Sequence, residues 1–83
     1  LQNNVTIYPN PVQGNLNVKV HNVTNIESYK LYNIDGRLIM ESDLNVENST
    51  FKIDISEVTS GTYILNLSSD DGRTVSKRII ISN

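Results

Sequence analysis

Apolar and polar residues alternate with a period of two in one short stretch after another, with turn residues between them. That is the pattern of half-buried β-strands. Val5 to Tyr8 is a first strand, stopped by Pro9. Leu16, Val18 and Val20 alternate with Asn15, Asn17 and Lys19 in a second, running through about His21. Tyr29 and Leu31 share one face of a third, from about Ser28 to Asn33. Arg37 to Ser42 is a fourth, with Leu38 and Met40 on one side. Phe51, Ile53 and Ile55 mark a fifth, Tyr63, Leu65 and Leu67 a sixth, and Val75, Ile79 and Ile81 a seventh. No longer window has a helical period, and Ser56 to Ser60 closes at most a single turn.

Two hairpins are signalled by their turns. Asn33-Ile34-Asp35-Gly36-Arg37 and Ser69-Asp70-Asp71-Gly72-Arg73 both place Asp-Gly between strands, where glycine supplies the positive φ of a tight turn. Their flanking residues do not match, so the two express one turn chemistry rather than a repeat. Short strands separated by frequent turns predict an all-β, immunoglobulin-like β-sandwich of about seven antiparallel strands. Residues 1–83 form one domain, with residues 1–4 a linker remnant. The seventh strand lies in the closing hairpin, where it is either the last staple of a sheet or a segment for a partner to grip.

Composition agrees with the pattern. There are ten Ile and eight Val and no alanine, a bias toward strands and away from helix. Eighty-three residues are only just enough for a self-sufficient core. Cysteine is absent, so no disulfide braces the fold and thiolate zinc sites are excluded. Small secreted domains usually rely on disulfides, so their absence has to be accounted for. The net charge of −2 is spread over both signs without a basic stripe, which argues against nucleic acid as a partner. The longest apolar run, Ile79-Ile80-Ile81, is far short of a membrane span. No charged-then-apolar leader precedes the first strand, so the expectation is a cytosolic protein or a piece of a longer one.

Catalytic chemistry finds little support. His21 is the single histidine, sits at a strand end, and has no partner placed for it by the sequence. Asp70-Asp71 lacks the Asp-x-Asp-x-Asp-Gly pattern of a calcium loop, and a hairpin turn explains both residues. Asp43, Glu47, Asp54 and Glu57 fall in no acid–base motif, and neither a phosphate-binding glycine loop nor a nucleophile elbow is present. The expectation is a non-enzyme without cofactor or metal. Glycan binding is the stronger rival, with Tyr32 as the ring facing away from the core and Tyr29 and Tyr63 packed inside. Sequons at Asn4, Asn22, Asn48 and Asn66 are expected by chance in a chain this rich in Asn, Ser and Thr.

The front of the chain carries an unusual element, Tyr8-Pro9-Asn10-Pro11, which holds Tyr8 and Asn10 extended and interrupts a hydrogen-bonded ladder. Gly14-Asn15-Leu16-Asn17-Val18 follows, then Tyr29-Lys30-Leu31-Tyr32-Asn33-Ile34-Asp35-Gly36-Arg37-Leu38-Ile39. Ile53-Asp54-Ile55-Ser56, Thr59-Ser60-Gly61-Thr62-Tyr63-Ile64-Leu65 and a basic pair, Lys77-Arg78, complete the series. From about Val5 to Ile81 this ordered set closely resembles the C-terminal sorting domain (type A) of the type IX, or Por, secretion system of Bacteroidota.

The resemblance implies an address rather than an activity. Such a domain ends a larger exported cargo, which a separate leader takes to the periplasm. It then directs that cargo through the outer-membrane translocon and its shuttle components to the cell surface or medium. A cell-surface sortase commonly removes it, so the domain would be a substrate of that enzyme. The missing leader and missing disulfides both fit. The family's motif positions fall on Pro9, Asn10 and Pro11; on Asp35, Gly36 and Arg37; on Gly61 and Tyr63; and on Lys77 and Arg78. Gly36, Gly61 and Tyr63 also have ordinary backbone and packing roles. Lys77 interrupts the apolar face of Val75, Ile79 and Ile81, which suggests a bulge or strand end. The tail Ile81-Ser82-Asn83 departs from relatives that end on or next to a basic residue.

A terminal edge strand offers unpaired N–H and C=O groups to which a partner adds a strand, with Lys77 and Arg78 setting orientation. The same edge allows a strand-exchanged homodimer of the isolated domain. The competing expectation is an immunoglobulin-like accessory module, glycan-binding or spacer, that stays attached to a secreted enzyme.

Overall fold

Each alternating segment forms a strand in the computed structural model, which describes residues 5–21, 26–46 and 50–83. In chain order these are β1 (Val5–Gln13), β2 (Asn15–Val20), β3 (Ile26–Asn33), β4 (Leu38–Val46), β5 (Thr50–Asp54), β6 (Gly61–Ser69) and β7 (Thr74–Ile81). Residues 1–4, expected to be a linker remnant, and the sequon positions Asn4, Asn22 and Asn48 lie outside the described residues.

The strands form two sheets that face each other as an immunoglobulin-like sandwich. One contains the first half of β1 with β2 and β5, in register from Val5↔Val20 to Tyr8↔Asn17 and through Leu16↔Ile53. The other runs β4-β3-β6-β7. The alternating residues of both sheets point inward, and Leu16, Leu31, Ile55 and Leu65 are almost wholly buried. Removing apolar area from water on both inner faces is what holds two such small sheets together.

Three details differ from the sequence expectation. The first strand does not stop at Pro9 but extends to Gln13, with a cis Tyr8–Pro9 bond. Its regular ladder to β2 does lapse after Tyr8 and resumes only as a single pair, Gln13↔Asn15. Over that interval β1 crosses to the other sheet, where Val12 pairs with Ile81 in the one parallel pairing among antiparallel ladders. A proline without an N–H prevents continued pairing on one side, but an extended backbone can still run on to a new neighbour.

The fourth strand begins at Leu38 and reaches Val46. Its pairing shifts from Leu31↔Met40 to Tyr32↔Leu38, leaving Ile39 as the extra residue of a bulge. An odd insertion reverses the facing of everything beyond it. Met40 therefore packs against the core while Leu38, opposite outward-facing Tyr32, is 40% exposed; the two do not share a side.

Lys77, the third case, marks neither a bulge nor a strand end. The β6–β7 register is continuous from Gly61↔Ile81 to Ser68↔Thr74, with Lys77 opposite Leu65. The expected single turn after β5 is present, closed by Val58 N–H to the Ile55 carbonyl at 3.0 Å.

Candidate recognition site

Register places the separated motif positions near one end of the sandwich. Asn33, where the first Asp-Gly turn begins, pairs with Tyr63, and Tyr63 pairs with Ile79. In the next row Gly61 pairs with Ile81, which pairs in turn with Val12 just after the Pro9-Asn10-Pro11 segment. Thus the proline motif, the Asp35-Gly36-Arg37 turn, the Gly61/Tyr63 pair and the end of β7 all lie within a few rows of one another.

The seam between β1 and β7 is incompletely paired. β1 belongs to one sheet at Tyr8 and to the other at Val12, and β7 has only that Val12↔Ile81 pairing on the side away from β6. Upstream of this point the edges of β1 and β7 flank a groove of about 180 Å³, lined by Val5, Ile7, Pro9, Val12, Lys77, Arg78 and Ile79. Lys77 is half-buried on the inward-facing side of β7, whereas Arg78 is exposed on the opposite face, in the row of Ile64 and Tyr32. The basic pair is therefore divided, with one charge at the seam and the other on the outer sheet surface. Pro9 and Pro11 are exposed.

Ile34-Asp35-Gly36 forms a three-residue hairpin loop closed by Asn33 and Arg37. Gly36 N–H donates to the Asn33 carbonyl at 3.0 Å and Asn33 N–H to the Arg37 carbonyl at 2.9 Å, with Gly36 at φ 88°. The Asn33 side-chain oxygen accepts from the N–H groups of Asp35 and Arg37, fixing the turn from inside. Asp35 and Arg37 themselves are exposed. The second Asp-Gly turn repeats the backbone pattern, Gly72 to Ser69 at 3.2 Å and Ser69 to Arg73 at 2.8 Å. It uses a different lock, in which Asp71 meets Arg73 in an ion pair at 2.7 Å and accepts from the Ser69 hydroxyl. The Arg73 guanidinium first, and then that hydroxyl, hold the Asp71 carboxyl down at about 2 against an ordinary 3.8. Both turns thus share one backbone pattern, held by different side chains on unrelated flanks.

Gly61 and Tyr63 act as a pair. The buried Tyr63 ring lies over Gly61, with Cε1 3.5 Å from where a Cβ would stand. Its hydroxyl donates to the Thr59 carbonyl at 2.7 Å, the tyrosine-to-upstream-backbone bond recurrent near the start of this strand in immunoglobulin-like sandwiches.

Sequence reasoning missed the residue that fastens this end. The Asn83 side-chain amide donates to the carbonyls of Ile55 and Val58 at 2.7 and 2.5 Å, and its oxygen accepts from Gly14 N–H at 3.0 Å. The Ser60 hydroxyl donates to the Asn83 carbonyl, and Ser82 N–H to the Val12 carbonyl. The end of β7 is thus bound to the β1–β2 turn and the β5–β6 loop. No periodicity announces such a latch. Its only sequence trace is a small polar residue just beyond the last apolar position.

Other candidates find local roles. His21 is exposed at a strand end. Asn66 lies across from Ser76 and donates to its hydroxyl. Tyr32 is half-buried between Leu38 and Ile64, and the exposed Tyr8 lies in the other sheet, so the two rings form no shared glycan platform. Among the described residues no group of His, Asp or Glu is placed to hold a metal ion.

Comparison with known proteins agrees with this geometry. The sequence pattern of the family described as "Secretion system C-terminal sorting domain" matches residues 6–82. Ulvan lyase NLR42 of Nonlabens ulvanivorans is 26% identical over 78 residues, covering 94% of this chain and 14% of the lyase. β-Agarase D of Zobellia galactanivorans is 32% identical over 76 residues, covering 92% of this chain and 14% of the agarase. The chain therefore spans only a small part of the curated relatives it matches. A solved DUF3244 family protein of Bacteroides vulgatus, described as an immunoglobulin-like β-sandwich, superposes with a TM-score of 0.72 at 14% identity, over 93% of this chain and 83% of that one. CopC from Methylosinus trichosporium gives 0.51, also at 14% identity, over 93% of this chain and 90% of that one. These two likenesses establish the fold.

Proposed function

Because the chain belongs to the secretion system C-terminal sorting domain family, we propose that it is the type IX export address of a larger cargo protein and not itself a catalyst. The cargo lies N-terminal to Val5 and crosses the periplasm with this domain attached. The domain engages shuttle and translocon components at the outer membrane, and a cell-surface sortase then cuts the linker ahead of β1. The cargo is left on the surface or in the medium.

The observation that carries this reading is the family match over nearly the whole chain, residues 6–82. Supporting it, two relatives named as polysaccharide-degrading enzymes share only this segment-sized portion, 14% of their length, as expected of a module appended to diverse cargo. The chemistry of the domain agrees. Tyr63 is taken up by packing and a backbone hydrogen bond, Gly36 and Gly72 by tight turns, and Asp71 by an ion pair.

The test is a fusion of a leader, a fluorescent protein and residues 1–83 in a Bacteroidota host. The expected result is fluorescence at the cell surface or in the medium in wild type and retention in the periplasm when the translocon is disabled. Export that persists without the translocon, or periplasmic retention in wild type, sinks the proposal. Loss of the domain from surface-exposed cargo, seen as a smaller mature protein, tests the sortase step separately.

A further inference from the structure

The β1–β7 groove combines features that the core of a stable sandwich does not need. Val12 and Ile81 close only its lower end, and the β7 backbone from Thr74 to Ile80 has β6 on one side and, among the described residues, no ladder partner on the other. Unpaired strand edges are usually blunted by charge, proline or covering loops. β4 carries Glu41 and Asp43 along its edge, β5 carries Lys52 and Asp54, and β1 has its two prolines. β7 carries an inward-turned lysine, which discourages a casual neighbour unless that neighbour meets its charge.

Lys77 faces the groove in the row of Leu65, amid Val5, Ile7, Pro9, Val12 and Ile79, with Arg78 also contributing to the lining. No carboxylate lines the groove, and among the described residues the Lys77 ammonium forms no hydrogen bond or ion pair. A half-buried ammonium with apolar neighbours and no counter-charge favours an incoming anion more strongly than a solvated lysine does.

We infer that this groove receives an extended segment of a partner protein bearing a carboxylate, which adds as a strand to the free edge of β7 and pairs with Lys77. Backbone hydrogen bonds along Thr74–Ile80 supply affinity that is indifferent to most of the partner's side chains. The carboxylate sets the register, because a shift of one residue turns it away from Lys77 to the outer face. Apolar side chains two residues to either side of it meet Ile79 and Val12 in one direction and Val5 in the other. The inference rests on the sorting reading for the partner's identity as a component of the export machinery. The groove's chemistry can be tested without it.

The probe is a short capped peptide of alternating threonine and valine with one central aspartate flanked on its own face by two valines. A second peptide has lysine in place of that aspartate. Binding to the complete 83-residue chain is followed by NMR titration and amide hydrogen exchange. The aspartate peptide is expected to bind about tenfold more tightly than the lysine peptide and to protect the amides of Thr74–Ile80. Lys77→Glu should reverse the preference, while Lys52→Glu on the far sheet leaves it in place; thermal melts confirm that both variants fold. Equal binding of the two peptides, protection along β4 or β5 instead, or no reversal in Lys77→Glu overturns the inference. So does concentration-dependent dimerisation that needs Lys77 together with Glu41 or Asp43, since a second copy would then be the occupant. If the fusion fails to export while the peptides discriminate, the sorting reading falls and the groove stands. If export succeeds and the peptides do not discriminate, the groove falls alone.

Discussion

The side-chain amide of Asn83 donates to the carbonyl of Ile55 at 2.7 Å, joining residues 28 positions apart. With its bonds to Val58 and Gly14, this one amide satisfies backbone groups of two loops that have no strand to pair with. Unmade, each would need water at a partly covered site. Asn83→Ala is expected to lower stability by about 1–2 kcal/mol, read as a lower midpoint of chemical denaturation with an unchanged slope. Asn83→Asp keeps the acceptor toward Gly14 but sets a carboxylate against two carbonyls, and should be no more stable than the alanine variant at neutral pH.

Tyr63→Phe isolates the hydroxyl bond to the Thr59 carbonyl while keeping the ring over Gly61. The expected loss is about 1–2 kcal/mol, measured by urea unfolding. A change within error would mean that the ring alone matters and the hydroxyl bond contributes nothing net.

Gly36 adopts φ 88° with open space where a Cβ would be, so substitution there tests backbone conformation without steric clash. Gly36→Ala should cost about 1 kcal/mol, and Gly36→Asn less, because asparagine tolerates the left-handed region better. Thermal unfolding of the two variants against the parent distinguishes this order from a uniform effect of any side chain.

Acid should weaken the β6–β7 turn. The folded-state carboxyl of Asp71 lies at about 2, below its ordinary 3.8. Its contribution is therefore fully present above pH about 4 and disappears as pH falls through about 2. Asp54, lowered by its bonds to Ser56, acts in the same direction. Both groups lie at the surface, so salt should screen the Asp71–Arg73 part. Melting temperature followed from pH 5 to pH 2 is expected to fall more steeply for the parent than for Asp71→Asn.

What the chain's alternation announced and what it concealed follow from physical range. Leu16, Val18 and Val20, or Tyr63, Leu65 and Leu67, are buried as their period requires, because each strand has neighbours on both sides and one face must leave water. The Asp-Gly turns were equally legible, since positive φ is a local demand that glycine answers locally. At Leu38 and Met40 local reading failed, because the bulge at Ile39 depends on how β3 and β4 meet. Lys77 looked like an interruption of its strand because an inward lysine conflicts with an apolar face. The conflict is relieved by a groove that exists only when β1 changes sheets. The Asn83 latch was invisible for a similar reason: its partners are far apart in the chain and are backbone atoms, which carry no residue-type signal.

That β1 begins in one sheet and ends in the other has a mechanical consequence. Val5 lies at one end of β1, while Val12, paired with Ile81, lies near its other end. Tension applied at Val5 and Ile81 therefore runs along β1, loading the bonds of the Val5–Tyr8 ladder together instead of opening them one at a time. A domain pulled by its two ends is braced by its first strand. One pulled at Val5 and Val20, which face each other at the end of the β1–β2 ladder, would open pair by pair and should yield at lower force in single-molecule extension.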